Sequence, residues 1–387
     1  MLRSPLFGRR IHIAGSIAGD PSSASAEDVD DARRLIAELV KELTKRGAGF
    51  VVPVDAEKRR AADNQEICFD WLVWRTLYES LALRPTGASN PFAVAVQHHK
   101  TEDQIPREFE ALWDSVRTSD IVQIENVSHW NMNSKRMEAQ ARLGDILIAI
   151  GGSEGVLYLA NLYHDAGKPV IPLSNPITPP TEGARRLFSL GLSSADAPKL
   201  FRTSGNSAHA WMNRINFSKR QPIEDRVSLL LQLLEALEAP RAFAVRLLNK
   251  KHPDFAAVQD FFDNVVQPVI EGELGFKIVV VDGTQPYEYA TLDKEIFEKL
   301  YRSNVVLADI TGARPNCFIE LGYALGRCLP TMIMAKEGAD VPFDITTVGG
   351  HHWSASGSAE ERRREFRAHW TVIQSRPPLV SNQMLVS

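Results

Sequence analysis

Short apolar runs alternate with longer amphipathic ones along most of this chain, and no other feature limits its fold more. A run of four to eight apolar residues between turn signals reads as a buried strand, and apolar positions three and four apart read as a helix face. Strands are expected at Arg10–Ala14, Phe50–Pro53, Phe92–Val96, Asp120–Ile124, Asp145–Ile150 and Lys168–Leu173. Helices fall between them, near Asp28–Lys45, Cys68–Leu83, Pro106–Arg117 and Ser134–Leu143. Such alternation buries a parallel sheet beneath helices on both faces.

From Ser174 the text changes: Pro and Ser cluster, and only Ile223–Leu237 keeps a helical pattern before Ala239-Pro240. Alternation then resumes through Ala242–Leu248, the helix Phe255–Glu271, the strand Phe276–Val281, the helix Leu292–Tyr301 and the strand Asn304–Asp309. It closes with the helix Cys317–Gly326, the strand Pro330–Ala335 and an amphipathic segment near Glu360–Gln374. A length of 387 residues is too great for one core. The expected fold is α/β: two Rossmann-like parallel-sheet domains, 1–175 and 241–387, joined by a helical extension or linker at 176–240.

Composition removes several classes of function. With 44 Lys+Arg against 48 Asp+Glu and a net charge of −4, the chain lacks the cationic excess of nucleic-acid binders. No apolar run reaches the roughly 18 residues of a membrane span, and the opening MLRSPLFGRR has no signal-peptide core, so a cytoplasmic protein is expected. Cys68, Cys317 and Cys328 stand in no metal or redox spacing, and the ten His residues form no paired ligand pattern. No metal and no resident cofactor is expected. Trp71, Trp74, Leu77 and Leu81 share a helical face and read as core; His351-His352-Trp353 reads as a loop or strand end.

Two stretches carry the chemistry. In the first, the strand ending at Ile150 runs into Gly151-Gly152-Ser153-Glu154-Gly155 and then a helix, and a similar glycine turn, Gly15-Ser16, follows the first strand. Glycine lets backbone approach a ligand, and the free N–H groups at a helix start favour phosphate. Open α/β sheets bind ligands at this strand edge. The same residues satisfy G-x-S-x-G, which would make Ser153 a nucleophile. Little scaffold follows for the acid and base such an enzyme needs, and His209 lies in an irregular stretch.

Residues Lys135–Met137, Arg142–Asp145, Ile148–Gly152 and Gly155-Val156 resemble the SLOG superfamily, which includes cytokinin-activating phosphoribohydrolases and DNA-processing proteins. Arg136 falls on the family's Arg, Asp145 on its Asp, and Gly151, Gly152 and Gly155 on its glycines. Met137, Ile150 and Val156 depart from the pattern, one residue is inserted at Ser153-Glu154, and Leu159 stands where the catalytic Glu belongs. The resemblance implies a domain that binds a nucleotide-type signal without cleaving it, through Gly15, Ser16, Arg136, Gly151, Gly152, Ser153, Glu154 and Gly155.

In the second stretch, Asp309 ends a buried apolar strand and Glu320 is expected in the first turn of the next helix, which starts at Pro315. The two acids should converge on one crevice, with Gly322 leaving the helix face beside Glu320 bare. The alternative is that Asp309 caps its own loop and Glu320 is a solvated helix residue.

Asn304 to Gly326, with Phe276–Val281 upstream and Val341-Pro342-Phe343-Asp344 downstream, resembles the nucleoside 2-deoxyribosyltransferase family and its TIR-like relatives. Arg314 and Cys328-Leu329-Pro330 depart from that pattern. The resemblance implies that Glu320 is the catalytic carboxylate, Asp309 its companion, and Asn316, Asp282, Gly312 and Gly322 line the substrate. A carboxylate stabilises or traps the oxocarbenium centre that forms when an N-glycosidic bond breaks. NAD suits such a site because its nicotinamide leaves without protonation. Together the resemblances imply a bacterial anti-phage effector, a homo-oligomer that senses a small nucleotide and hydrolyses NAD. A metabolic nucleoside transferase or nucleotide N-glycosidase, and a sensor that cleaves nothing, are the alternatives.

Overall fold

The computed structural model describes residues 4–85, 92–98, 100, 104–127, 129, 131–237, 239–281, 292–301, 303–326, 329–340 and 350–375. They divide into two compact units, Met1–Glu238 and Ala239–Ser387.

The first unit holds a six-stranded sheet of β1 (Arg10–Ser16), β2 (Gly49–Pro53), β3 (Ala93–His98), β4 (Val122–Val127), β5 (Ile146–Gly151) and β6 (Val170–Leu173). All neighbours are parallel, in the order β4-β3-β2-β1-β5-β6. The chain steps outward from β1 to β4, returns to the other side of β1 for β5, and so reverses direction between β1 and β5. In an open α/β sheet that reversal leaves a crevice outside the C-terminal strand ends.

Helix α1 (Ala26–Lys45) follows β1, and its start is set by Ser25, whose hydroxyl accepts the Asp28 N–H. Its stripe of Leu35, Leu39 and Leu43 is buried in the unit's main core. Helix α2 (Asp70–Glu79) contributes Trp71 and Trp74, whose indole N–H groups donate to the carbonyls of Asp55 and Pro53 just beyond β2. A buried indole is tolerated because its one donor finds an acceptor. Helices α3 (Glu110–Arg117), α4 (Met132–Leu143) and α5 (Glu154–Asp165) complete the alternation.

The stretch expected as a separate extension belongs to this first body. It forms α6 (Gly183–Gly191), α7 (Ala197–Leu200), α8 (Ala208–Arg214) and α9 (Ile223–Ala236), and their apolar residues join the core that contains β1 and α1. Arg226 on α9 makes two hydrogen bonds, 2.8 and 2.6 Å, to the carboxylate of Asp31 on α1. An apolar helix stripe must be covered, and α1 covers the one read from Ile223–Leu237. Helices α6 to α8 span nine, four and seven residues, too short to display a 3.6-residue period in sequence.

The second unit is a five-stranded parallel sheet of β7 (Arg241–Val245), β8 (Lys277–Val279), β9 (Val305–Asp309), β10 (Thr331–Lys336) and β11 (His351–Trp353), in the order β11-β10-β9-β7-β8. Its reversal lies between β7 and β9. Helix α10 (Phe255–Phe261) runs on through π-helical segments Phe262–Val266 and Pro268–Glu273. Val258, Phe261, Phe262, Val265, Val266, Val269 and Ile270 are buried along it, a helical repeat kept through the change of register. Helices α11 (Leu292–Tyr301), α12 (Pro315–Gly326) and α13 (Ala359–Ser375) follow. His351-His352-Trp353 is an edge strand rather than a loop: His351 and Trp353 point inward, His352 outward, and Trp353 stacks on Phe261 at 4.3 Å. No helix among the described residues is long and apolar enough to cross a membrane.

Candidate active sites at two sheet edges

In the first body, Gly15 and Ser16 close β1, Gly151 closes β5, and Ser16 lies beside Gly151 in register. The Gly152 N–H donates to the Ser16 carbonyl at 2.7 Å. A Cβ on Gly15 would sit 1.7 Å from the Ile150 carbonyl oxygen, so the two strand ends close on each other only because this residue is glycine. Gly151 and Gly152 take φ values of 62° and 73°, which turn the chain off the sheet and into α5. Ser153 is the N-cap of α5, but its side chain makes no capping bond; Glu154 and Gly155 are the first helical residues. The segment from Ile177 to Gly183 packs against this turn, since the Ala18 N–H donates to the Ile177 carbonyl at 2.8 Å and a Cβ on Gly183 would lie 2.2 Å from the Gly152 carbonyl oxygen, while Ser153 and Glu154 stay exposed. Leu159, where SLOG relatives carry a catalytic Glu, is buried in the core. Asp145 sits at the opposite end of β5, where its carboxylate accepts the Arg10 N–H at 2.8 Å.

Beside this turn stands a charged cluster of which the sequence pointed only to Arg136. Arg136 on α4 pairs with Asp55, just past β2, at 2.5 Å, and its Nε and Nη1 are buried with no hydrogen-bond partner. Glu57 accepts the N–H groups of Ile67 and Cys68 on one oxygen; its other oxygen is buried and unpartnered. Burial pushes the Glu57 carboxyl up to about 7, against the pull of those two bonds. Asp70, the first residue of α2, is also raised to about 7 by burial, with Arg136 opposing the shift. A β-bridge between Ser16 and Cys68 ties the loop carrying these acids to the end of β1. The available signal was an acid two residues beyond an expected strand and another at a helix start, a pattern that solvated acids share.

In the second body, Asp309 ends β9 as expected, but its carboxylate is turned inward. One oxygen accepts the Thr311 N–H at 3.0 Å and the other the Trp353 indole N–H at 2.7 Å, leaving the residue fully buried. Burial raises its carboxyl to about 6, opposed by these bonds. Asp309 thus caps its own loop, the alternative weighed for it, with the Trp353 indole of the last strand on its second oxygen.

Glu320 lies in the second turn of α12, the sixth residue of the helix that Pro315 opens, not in the first turn. It is half-buried, and burial raises its carboxyl to about 7, with Arg314 opposing. Asn316 is exposed at the helix start; Gly322 is exposed, and a Cβ there would meet nothing within 4 Å. Gly312 and Ala313 take φ values of 82° and 43°, and a Cβ on Gly312 would lie 3.0 Å from the His252 ring. Asp282, and the Val341–Asp344 motif, lie outside the described residues. Among the described residues no group of three or more His, Cys, Asp and Glu side chains could hold a metal ion.

Glycine turns and buried carboxyls at the C-terminal edges of two parallel sheets give an α/β protein with two candidate sites. The chain belongs to the family described as ATP nucleosidase Cap17-like, N-terminal, whose model matches residues 6–234, nearly all of the first body. Among solved structures, the X-ray structure of TM1055 is 18% identical, covers 58% of this chain and 99% of its own, and has a TM-score of 0.30, a likeness too slight to carry argument. No curated protein sequence matches the chain.

Proposed function

We propose that this protein is a two-site nucleotide N-glycosidase of bacterial defence. The first body holds a nucleotide-type signal at the Gly15-Ser16 and Gly151–Gly155 turns, with Arg136 beside them, and the second body cleaves NAD with Glu320. The observation that carries the assignment is the contrast between the two acids of the second edge. Asp309 is sealed by Thr311 and Trp353, whereas Glu320 has no such partners among the described residues and a carboxyl raised to about 7 by burial. Ionised, Glu320 stabilises or traps the oxocarbenium carbon as nicotinamide departs, and water then completes hydrolysis.

ATP, named in the family's description, is the second substrate to test. Incubating the full chain with NAD, ATP and 2′-deoxyadenosine separately, and following free nicotinamide and adenine by chromatography, decides among the readings. Nicotinamide release from NAD supports the proposal. Adenine from ATP alone moves the substrate, and adenine from the deoxynucleoside returns the protein to nucleoside metabolism. No base from any of the three leaves a sensor. Arg136→Ala should weaken nucleotide binding at the first body, measured by calorimetry; unchanged affinity removes that role.

One observation favours a second location for the chemistry. The family match falls on the first body, where Glu57 and Asp70 are both near 7 beside Arg136. In that reading one carboxyl protonates the departing base, the other acts as carboxylate at the sugar, and Arg136 holds phosphate.

A further inference from the structure

Arg136, Asp55, Glu57 and Asp70 belong to three separate segments, yet they meet at one point on the edge of the first sheet. Asp55 and Glu57 lie just past β2, the strand beside β1. Asp70 opens α2, and the residues before it are fastened to the end of β1 by the Ser16–Cys68 bridge and by the Ile17 N–H, which donates to the Ile67 carbonyl at 2.9 Å. Arg136 comes from α4, which packs Ala139 and Leu143 against Val51 of β2 and Val94 and Val96 of β3. One turn earlier on that helix, its guanidinium pairs with Asp55. Burial raises the Asp70 carboxyl to about 7, and the charges of Arg136, Glu57 and Asp55 act on it in turn, which places the four groups together.

The cluster offers hydrogen-bonding capacity with little net charge. Asp55 and Arg136 cancel, and burial holds Glu57 near 7 as it does Asp70. The Arg136 side chain is 11% exposed, and its Nε and Nη1 donors lack partners, as does one oxygen of Glu57. Asp55, 33% exposed, is where the cluster opens to solvent. A phosphate only accepts, so it would satisfy Arg136 but confront the carboxyls and leave Glu57 unpaired. Nor do these carboxyls form a group that could hold a metal ion among the described residues. A vicinal diol suits the set, because each hydroxyl both accepts and donates: its oxygens take the Arg136 donors and its protons turn to the carboxyls.

The position is that of a sugar. Where the first strand of an open α/β sheet ends in a glycine turn, an acid beyond the neighbouring strand is placed to hold ribose hydroxyls. The start of α5, with Ser153 and Glu154 exposed, follows β5, and only β1 separates β5 from β2. Two strand spacings make roughly 10 Å, a gap that a ribose and its phosphate chain bridge.

We propose that Glu57, Asp70 and Arg136 form a ribose pocket in the first body that holds the 2′- and 3′-hydroxyls of its nucleotide, so that the signal is a ribonucleotide with both hydroxyls free. This rests on the reading that the first body binds a nucleotide, and it gives Arg136 to the sugar rather than to a phosphate.

The test is calorimetric titration of the full chain, carrying Glu320→Gln to suppress cleavage, with ATP, 2′-deoxy-ATP, 3′-deoxy-ATP and tripolyphosphate. Each deoxy analogue should bind about tenfold or more weakly than ATP, since a site built around a hydroxyl rejects the ligand that lacks it. Adding Glu57→Ala should bring ATP down to the level of its analogues while leaving the analogues and tripolyphosphate nearly unchanged. Because Glu57 belongs to the first body, what changes with it reports that body alone, and undiminished analogue binding shows that the variant is folded. Glu57→Gln, which keeps the shape and a hydrogen-bonding group, should retain most of the preference. Analogues that bind the parent as tightly as ATP overturn the proposal with no substitution at Glu57 needed. A preference that survives Glu57→Ala, or a tripolyphosphate affinity that falls with Arg136→Ala, overturns it as well. ATP that fails to bind the full chain at all removes the nucleotide reading itself, and the pocket goes with it.

Discussion

The two sheets end in the same way, with a crevice where strand order reverses, yet they handle acid differently. The first body sets Asp55 and Asp70 beside the Arg136 guanidinium with Glu57 close to Asp70, and leaves two nitrogens of Arg136 and an oxygen of Glu57 buried and unpartnered. In the second, Asp309 is held by two donors, and Glu320 lies on the next helix with none among the described residues. Unsatisfied buried polar atoms are costly and call for an explanation, and a polar ligand supplies one. At the second edge the buried Asp309 holds its own loop, and on the function proposed above Glu320 meets the substrate. On that reading the first edge is completed by what binds it and the second acts on what binds it.

The largest expected effect breaks this comparison outright. Glu320→Gln removes the negative charge while keeping the shape, and should lower kcat for NAD by roughly a thousandfold or more, as losing a catalytic carboxylate does. Glu57→Gln should leave it within about threefold, the usual scale for a site that does not touch the reaction. Both are read by nicotinamide release. Reversed outcomes would move the chemistry to the first body.

Next in size is Asp309→Asn. Two N–H donors face the carboxylate, one on each oxygen, and only an acceptor on both sides satisfies them. An amide turns one contact into donor against donor, at a cost of about 1–3 kcal/mol. The variant should show a thermal midpoint lower by several degrees, on the scale of roughly 2–4 °C per kcal/mol at Tm for a unit as large as Ala239–Ser387. Residual kcat per folded molecule should stay near wild type. A large loss of kcat with an unchanged midpoint would return Asp309 to the reacting centre.

Why Asp309 and Glu320 diverge shows what this sequence discloses. The strand before Asp309 and the helix after Pro315 are local patterns, and both were legible. What was not legible was a partner 44 residues downstream, because three residues of edge strand carry no periodicity and Trp353 reads like a loop aromatic. The same holds in the first body. The glycine turns declare themselves by residue type, but Glu57 and Asp70 become notable only when burial raises their carboxyls, and burial is set by packing from distant segments. Likewise the individual helices α6 to α8 within the expected helical extension are each too short to show a face in sequence.

A smaller and more graded effect is on pH. If ionised Glu320 is the working form, kcat for NAD should climb about tenfold per pH unit below 7 and level off above it, since nicotinamide needs no acid. A substrate whose base must be protonated to leave should instead give a bell. Stability should run the other way. Glu57, Asp70, Asp309 and Glu320 all have folded values above their ordinary ones, so these four groups hold more protons folded than unfolded between about 4 and 7, outnumbering His12 and His351, which burial lowers to about 3 and 4 and which hold fewer there. Stability is therefore favoured below that window and declines as pH rises through it. Denaturant midpoints at pH 5 and pH 8 test this, and a higher midpoint at pH 8 would show that the carboxyls are stabilised in their charged form.

The smallest expected effect concerns Ser153, and it sharpens the account of the first edge. A nucleophilic serine at a strand-to-helix turn would lose all activity on Ser153→Ala. As an exposed N-cap whose hydroxyl makes no capping bond, Ser153 has little to lose: the cost should stay within about 0.5 kcal/mol, below the ordinary value of a working cap. Turnover of NAD at the second body should be unchanged. Affinity of the first body for its nucleotide should fall only slightly, because the anion contacts there come from backbone N–H groups that the substitution keeps. If instead Ser153→Ala abolished ligand binding while leaving the thermal midpoint in place, the hydroxyl itself would be reading the ligand. The first edge would then act through a specific side chain as the second does, and the contrast between the two edges would narrow to their acids alone.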